Sequence, residues 1–266
     1  MMTLSIIFLA ATIVFRPVPL SEPVREDREL AAVFARAGLE GTMVIESLDG
    51  RRRYLHQARR AAQPLPAAST FKIFNTLIAL EERVVTGPES PFKWDGAIRS
   101  IPDWNRDQTL RSAFRVSCVW CYQELARRIG PDRYLAHLRR AGYGNLEAPF
   151  ELTRFWLDGT LRVSAQQQVA FLRRVVNRDL PYRSSSYDEL REIMLQDQGP
   201  KVAYKVAAKT GWSTILNPGI GWYVGYVETP RGVWLFALNI DSRTEADLPR
   251  RIDLARAALQ AKGILP

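Results

Sequence analysis

Hydrophobic residues recur along this chain at spacings that change from one stretch to the next, and each spacing predicts an element. Residues 26–37 have helical periodicity, whereas residues 42–47 and 54–57 have the pattern of strands. The turn dipeptide Asp49-Gly50 lies between these two strands and predicts a hairpin. The N-terminal part of the chain is therefore predicted to form a helix followed by a β-hairpin.

The middle of the chain carries mainly helical signals. Residues 70–82 are apolar on nearly every side of the predicted helix, which indicates a helix buried inside the molecule. From about residue 83 to about residue 200 helical patterns dominate, with the clearest segments at 118–129, 132–141 and 164–177. We therefore expect a mostly helical lobe in this region.

Strand patterns return toward the C-terminal end. Residues 202–209, 221–228 and 232–240 are predicted strands, and residues 248–262 form a final amphipathic helix. Strands at both chain ends predict an α+β fold: an antiparallel sheet built from both ends, flanked by terminal helices, with the helical lobe inserted between them. We expect a single domain over residues 21–266, with its active site in the cleft between sheet and lobe.

Residues 1–20 form an apolar N-terminal segment. Its run from Leu4 to Phe15 is shorter than the roughly 20 residues that span a bilayer, so it fits a secretory signal better than a membrane helix. No Lys or Arg precedes the run, and Arg16-Pro17 follow it directly, so a retained anchor and a misassigned start are the alternatives. We expect export without stable membrane insertion.

The 266-residue chain has a formal net charge of +9, and a net positive charge is also typical of nucleic-acid-binding proteins. The basic residues are scattered, however, and short pairs such as Arg59-Arg60 and Arg139-Arg140 lie on helical patterns, as solvated faces do. We therefore expect no nucleic-acid partner. A basic surface favours small anionic substrates instead.

Cysteine and histidine are scarce, which limits the chemistry available. Cys118 and Cys121 are the only cysteines, and at a spacing of three on a helix they are predicted to be buried side chains without a disulfide. His56 and His137 are the only histidines. A zinc hydrolase generally needs three protein ligands, so we predict no metal site, and a Ser-His-Asp triad is disfavoured.

Ser69 and Lys72 are three positions apart at the start of the buried central helix. This spacing places the hydroxyl and the amine on one face, and burial lowers the pKa of a lysine so that its neutral amine can act as a base. Such a pair occurs about once by chance in a chain of this length. A capping serine followed by a surface lysine is the alternative, but the apolar surroundings favour the catalytic interpretation.

The tripeptide Lys209-Thr210-Gly211 ends the first C-terminal strand pattern. The lysine can project into the cleft there, and the glycine lets a substrate lie against the strand edge. Alone, the tripeptide also fits a strand-ending turn. Following a Ser-x-x-Lys pair and a helical insertion, it is a signature of penicillin-recognising serine enzymes.

These motifs belong to a larger set, through which the chain resembles the class D β-lactamases, also called oxacillinases. The resemblance covers the chain from about residue 40 to the C-terminus. Its elements are Ser69-Thr70-Phe71-Lys72, Ser117-Cys118-Val119, Tyr143-Gly144-Asn145, Phe155-Trp156-Leu157-Asp158-Gly159 and Lys209-Thr210-Gly211. In this order they are far more specific than any one of them alone.

The resemblance implies roles for the residues that carry the reaction. Ser69 is the nucleophile, and Lys72 is carboxylated by dissolved carbon dioxide to become the base; no other cofactor is implied. Trp156 donates its indole N–H to the carboxylated lysine. Ser117 passes a proton toward the β-lactam nitrogen, and Val119 lines the pocket and covers the modified lysine.

The resemblance also implies how the substrate is held. The backbone N–H groups of the nucleophile and of Trp212 form the oxyanion hole. Lys209 completes the catalytic set, and Thr210 contacts the substrate carboxylate. Arg251 matches the carboxylate-binding arginine of the family, with its neighbour Arg250 as the competing choice.

The function implied is hydrolysis of penicillins and oxacillin-type β-lactams through an acyl-serine intermediate, in a periplasmic monomer or homodimer. A β-lactam-sensing domain that acylates without turnover is the main alternative. A cell-wall DD-peptidase is disfavoured, because its second motif usually ends in Asn where Val119 stands here.

Overall fold

A computed structural model describes residues 26–146, 148–196 and 203–266 of the chain. Its strands are β1 (Gly41–Ser47), β2 (Arg53–His56), β3 (Leu65–Pro66), β4 (Pro91–Phe92), β5 (Gln108–Thr109), β6 (Arg162–Val163), β7 (Lys205–Ser213), β8 (Gly219–Thr229) and β9 (Gly232–Ser242). Its α-helices are α1 (Arg28–Ala37), α2 (Ala58–Ala62), α3 (Lys72–Glu81), α4 (Leu110–Arg115), α5 (Val119–Ile129), α6 (Pro131–Ala141), α7 (Ala165–Asn177), α8 (Ser184–Met194) and α9 (Arg250–Ala261).

Strands from both ends of the chain form one antiparallel sheet in the order β2-β1-β9-β8-β7. In the middle strand, Ala237 lies opposite Val44 of β1 on one side and opposite Val224 of β8 on the other. Helices α1 and α9 pack on one face of the sheet, and the helices inserted between β2 and β7 cover the other. The predicted α+β fold is confirmed.

Strand β8 is apolar at consecutive positions because both faces of the sheet are covered. Trp222 and Val224 belong to the core beneath the helical lobe, whereas Tyr223 and Val227 belong to the core beneath α1 and α9. All four side chains are buried. Burial on two sides removes the polar positions that mark a half-exposed strand.

The predicted buried helix is present, but it begins differently from the prediction. Every residue from Lys72 to Leu80 in α3 is buried. The residues before it, Ala68–Phe71, form a 3₁₀ turn in which Ala68 has a φ of 48°. Ser69 therefore lies in a tight turn ahead of α3 and does not cap the helix.

The Lys209-Thr210-Gly211 motif lies within β7 and not at its end. β7 remains paired with β8 as far as Ser213, which lies opposite Ile220. The strand predicted over 202–209 ended too early, because Gly211 interrupts the side-chain alternation while the backbone pairing continues. Val202, at the other end of that prediction, lies outside the described residues.

The prediction that the two cysteines do not pair is wrong. Cys118 and Cys121 form a disulfide, with their Cα atoms 5.6 Å apart. The prediction assumed that both residues are helical. Cys118 is instead the N-cap of α5, with φ −53° and ψ 110°, and this non-helical backbone brings its sulfur to that of Cys121. Both side chains are buried, as predicted.

The apolar segment predicted as a secretory signal over residues 1–20 lies outside the described residues. Among the helices within the described ranges, none combines the length and the apolar composition needed to cross a bilayer.

Candidate active site

The serine and lysine paired in the sequence motif are in contact. Ser69 is partly exposed, and the Nζ of Lys72 donates a hydrogen bond to its Oγ over 2.9 Å. The adjacent Thr70 is fully buried; its hydroxyl donates to the backbone oxygen of Ala67 and accepts a hydrogen bond from Gln168 Nε2 over 2.8 Å. A buried network therefore holds the serine turn within reach of the amine.

Lys72 is completely buried, at 0% exposure. Its Nζ lies 5.0 Å from the centre of the Tyr122 ring, and no carboxylate in the described part of the chain forms an ion pair with it. Burial, reinforced by the positive charge of Lys209, holds the pKa of Lys72 well below its usual value. The site therefore favours the neutral amine.

Trp156 presents a buried polar group that the described part of the chain leaves unsatisfied. The residue is fully buried, and its ring packs against the rings of Phe71 and Phe155, with centroids 6.1 and 5.0 Å away. Its indole Nε1 makes no hydrogen bond to any described residue. A buried donor without an acceptor is rare because it costs the full desolvation penalty, unless a ligand or a modified side chain supplies the acceptor.

Lys209 is the second buried lysine of the cleft. Its Nζ donates to the backbone oxygen of Thr210 over 3.0 Å and lies 5.6 Å from the centre of the Phe114 ring. Burial, with the nearby charge of Arg251, lowers the pKa of Lys209 to about 7. The charge of this side chain therefore changes near neutral pH.

Gly211 lets the edge strand β7 lie directly against the serine turn. An added Cβ at this position would stand 3.0 Å from Cγ2 of Thr70 and 3.2 Å from its backbone nitrogen. A larger residue at this position would need Thr70 to shift by a few tenths of an ångström. The next residue, Trp212, is on the same edge strand with its side chain 36% exposed.

The structure separates the two candidate arginines. Arg251 is half-buried and donates to the backbone oxygen of Gly211 over 2.9 Å, while burial lowers its pKa to about 10. Arg251 packs beside Gly221 of β8, where an added Cβ would lie 3.6 Å from the Arg251 Cδ, an ordinary van der Waals contact. Arg250 instead donates to the backbone oxygen of Ala37. Only Arg251 reaches the Lys209-Thr210-Gly211 motif.

Ser117 and Val119 lie at the start of α5, and both are partly buried. Ser117 has a φ of 58°, in the left-handed region that residues other than glycine seldom adopt. Within the described ranges, its hydroxyl forms no hydrogen bond to Lys72 or Lys209. The structure thus places Ser117 two residues ahead of α5, without a hydrogen bond to either lysine.

A cavity of about 460 Å³ adjoins the edge of β7, and its lining includes Lys209, Thr210 and Tyr223. A larger cavity, of about 1220 Å³, is lined by Trp234 and by residues 262–266, among others, and by none of the predicted site residues. Volume alone therefore does not mark the site in this fold. The buried lysines and the motif residues do.

Comparisons with known proteins agree with this geometry. The penicillin-binding protein transpeptidase domain matches residues 41–260. The chain is 37% identical over 265 residues to the β-lactamase OXA-48 of Klebsiella pneumoniae, covering 100% of this chain and 99% of that protein. It is 37% identical over 248 residues to OXA-20 of Pseudomonas aeruginosa, covering 92% of this chain and 91% of that protein.

Two solved structures are similar over nearly the whole described fold. A class D β-lactamase from Nostoc has a TM-score of 0.85 and 40% identity, covering 89% of this chain and 99% of its own. The class D β-lactamase FUS-1 of Fusobacterium nucleatum has a TM-score of 0.86 and 33% identity, covering 91% and 100%. The chain belongs to the class D β-lactamases. The predicted family and enzyme class are confirmed.

The Tyr143-Gly144-Asn145 motif of this class D β-lactamase is hydrogen-bonded to the network that supports the serine turn. Tyr143 donates its hydroxyl to Gln168 Oε1 over 3.2 Å, and Gln168 in turn supports Thr70. Asn145 N donates to the backbone oxygen of Arg162 over 2.8 Å. These contacts join the motif to the network around Thr70 and to β6.

Sequence reasoning missed three residues that shape this β-lactamase site: Tyr122, Gln168 and Phe114. Tyr122 carried a usable signal, because it follows Val119 by three positions and so shares its helix face. Gln168 and Phe114 carried none, since their contacts with Thr70 and Lys209 join segments far apart in the sequence.

Proposed function

We propose that this enzyme hydrolyses penicillins and oxacillin-type β-lactams through an acyl intermediate on Ser69. The observation that carries the proposal is the buried Lys72 with its Nζ 2.9 Å from the Ser69 Oγ. A serine attacks once a neighbouring base removes its proton, and a lysine kept neutral by burial suits that task. The two histidines, His56 and His137, are bound to carboxylates elsewhere in the fold.

We propose further that carbon dioxide carboxylates Lys72. Only a neutral amine attacks carbon dioxide, forming an N–C bond and releasing one proton, and burial favours that form. The anionic product needs hydrogen-bond donors in an apolar pocket, and the unpartnered Nε1 of Trp156 and the Ser69 hydroxyl fit this need. A carbamate at Lys72 supplies an oxygen base for the serine and for the deacylating water. Val119 shields the site from bulk solvent.

The remaining residues hold the substrate and stabilise developing charge. The backbone N–H groups of Ser69 and Trp212 bind the carbonyl oxygen as it becomes negative. Ser117 delivers a proton to the β-lactam nitrogen as the ring C–N bond breaks. Thr210, with the positive charges of Lys209 and Arg251, holds the substrate carboxylate against β7.

Steady-state turnover of benzylpenicillin and oxacillin, with and without added bicarbonate, tests these proposals. We expect turnover that rises with bicarbonate, together with a transient acyl adduct on the peptide that contains Ser69 in mass spectra. A stable stoichiometric adduct that bicarbonate does not affect would identify a β-lactam-sensing domain instead. If neither turnover nor an acyl adduct were detected, both functions would be refuted.

Arg251→Ala is expected to raise the KM for penicillins by about 10- to 100-fold with little change in kcat. A hydrogen-bonded charge contributes about 1.5–3 kcal/mol, and this one acts on the substrate carboxylate before and during the reaction alike. Arg250→Ala is the matched control, because the neighbouring guanidinium bonds to Ala37 and not to Gly211. A larger effect at Arg250 would reverse the assignment. Initial-rate kinetics on both variants measure this.

The kcat/KM for penicillins should fall as the pH rises through about 7. The pKa of Lys209 is about 7, so its cation is present below that pH and is lost above it, together with its attraction for an anionic substrate. Because kcat/KM reports the free enzyme, its alkaline limb should lie near pH 7. Lys209→Arg keeps the charge and should move this limb upward. A kcat/KM profile unchanged between the enzyme and this variant would contradict the role.

We propose a periplasmic location. The buried disulfide between Cys118 and Cys121 supports it, since disulfides persist in oxidising compartments and are rare in the cytosol. Cell fractionation with detection of the protein in the periplasmic extract tests the proposal, and recovery with the cytosol alone would refute it.

A further inference from the structure

The disulfide lies inside the segment that carries the second sequence motif. Cys118 directly follows Ser117, and Val119 is enclosed between the two bonded cysteines. Tyr122, whose ring centre lies 5.0 Å from Lys72 Nζ, directly follows Cys121. The covalent link therefore lies in sequence between the second motif and the tyrosine whose ring lies beside the buried lysine.

We propose that Cys118 and Cys121 are positioning residues: their disulfide fixes Ser117, Val119 and Tyr122 around the Ser69–Lys72 pair. This inference deepens the proposed function and rests on it. The cysteines touch no substrate and act only through the backbone between α4 and α5. Reducing the bond loosens that backbone and with it the catalytic arrangement.

The backbone at this point needs support, because Ser117 has a φ of 58°. On the side of α4, the backbone nitrogen of Ser117 donates to Phe114 O over 3.2 Å, and that of Cys118 donates to Ala113 O over 2.9 Å. On the side of α5, the disulfide ties Cys118 to the first helical turn, where Cys121 N also donates to the Cys118 Sγ over 3.4 Å. The turn is thus held by hydrogen bonds on one side and by a covalent bond on the other.

Stabilisation of the whole fold does not account well for this disulfide. The stabilisation that a disulfide gives by restricting the unfolded chain grows with the length of the closed loop, and this loop is among the shortest possible. Both sulfur-bearing side chains are also enclosed in the core of the helical lobe, where a reagent from solvent does not reach them in the native state. What the bond constrains is the local geometry around Ser117.

Three variants separate crosslinking from packing: Cys118→Ala, Cys121→Ala and the double variant. Each removes the same single bond, so a crosslinking role predicts one common loss, with kcat lowered about 10-fold in all three and no further loss in the double variant. The bicarbonate concentration for half-maximal activity should rise equally in each. Independent packing effects would instead add, because distant or uncoupled substitutions are additive. Additive losses with an unchanged bicarbonate requirement would overturn the proposal.

Ile129→Ala is the matched structural control. It removes buried side-chain volume at the opposite end of the same helix, so it should lower Tm while leaving the bicarbonate requirement unchanged. If this variant raised the bicarbonate requirement as much as the cysteine variants do, the effect would follow from a weakened helix and not from the disulfide, and the positioning role would fall.

The unaltered sequence provides a second comparison. Protein produced in a reducing cytoplasm, with two free thiols confirmed by titration, should show the same low kcat and high bicarbonate requirement, and refolding under oxidising conditions should restore both. Equal kinetics in the two redox forms would overturn the positioning role alone. An oxidised enzyme that does not respond to bicarbonate at all would instead count against the proposed function.

Discussion

Lys72→Ala is expected to lower kcat for penicillin hydrolysis by about 10³-fold, within the range that a positioned general base contributes. In the described part of the chain, Lys72 Nζ is the only group that hydrogen-bonds to the Ser69 Oγ. Without it no base takes the serine proton, and any acyl-enzyme that does form lacks a base for the attacking water. Stopped-flow and steady-state assays should show a lost bicarbonate response and slow or absent deacylation.

Two control variants keep this prediction open to refutation. Lys205→Ala removes an exposed lysine from the same strand as Lys209 and should leave kcat within about 2-fold of the unaltered enzyme. Lys72→Met fills the space of the buried amine with an apolar side chain of similar length. Because a buried amine without an ionic partner is costly, this variant should retain or raise Tm while being as inactive as Lys72→Ala. A well-folded Lys72→Met protein with normal turnover would exclude Lys72 as the base.

Trp156→Phe is expected to lower kcat about 100-fold at ambient carbon dioxide and to raise the bicarbonate concentration needed for half-maximal activity. The substitution keeps the aromatic packing against Phe71 and Phe155 but removes the buried N–H donor. Losing one preorganised donor to a charged group has effects of about 10²–10³ in other active sites. Bicarbonate titrations of the initial rate measure both quantities. Unchanged titration curves would contradict the donor role.

Trp222→Phe is the matched control for this substitution. Trp222 is equally buried, but its Nε1 donates to the backbone oxygen of Pro66 over 2.9 Å. Removing that donor leaves a buried carbonyl unpaired, so Tm should fall. Trp156→Phe removes a donor that has no partner among the described residues, so without bicarbonate its Tm should stay the same or rise. The same Trp→Phe substitution should therefore lower Tm at Trp222 but not at Trp156.

The elements predicted well from the sequence are those whose hydrophobic pattern has one explanation. Helix α3 is apolar around its circumference, and only a helix inside the molecule buries all of those positions. The sequence pattern does not predict the end of a strand where the pattern stops before the backbone pairing does, as at Gly211 in β7. The two-residue strands β3 to β6 carry no periodicity, and they were not predicted.

The pairing of Ser69 with Lys72 followed from local spacing, whereas other features of the site depend on contacts between distant segments. Arg250 and Arg251 are adjacent, and only the position of α9 against Gly211 distinguishes them. The disulfide was missed for a local reason. The spacing argument holds for two helical residues, and the backbone of Cys118 at the cap is not helical.

The position of β9 at the middle of the sheet affects when the protein can fold. The hairpin of β1 and β2 is synthesised early, but the strand that it pairs with spans Gly232–Ser242, close to the end of the chain. Pairings between such distant segments form slowly because a long loop must close first. The β1–β9 pairing therefore waits until the whole helical lobe and β9 have been synthesised, and the sheet closes around its middle strand last.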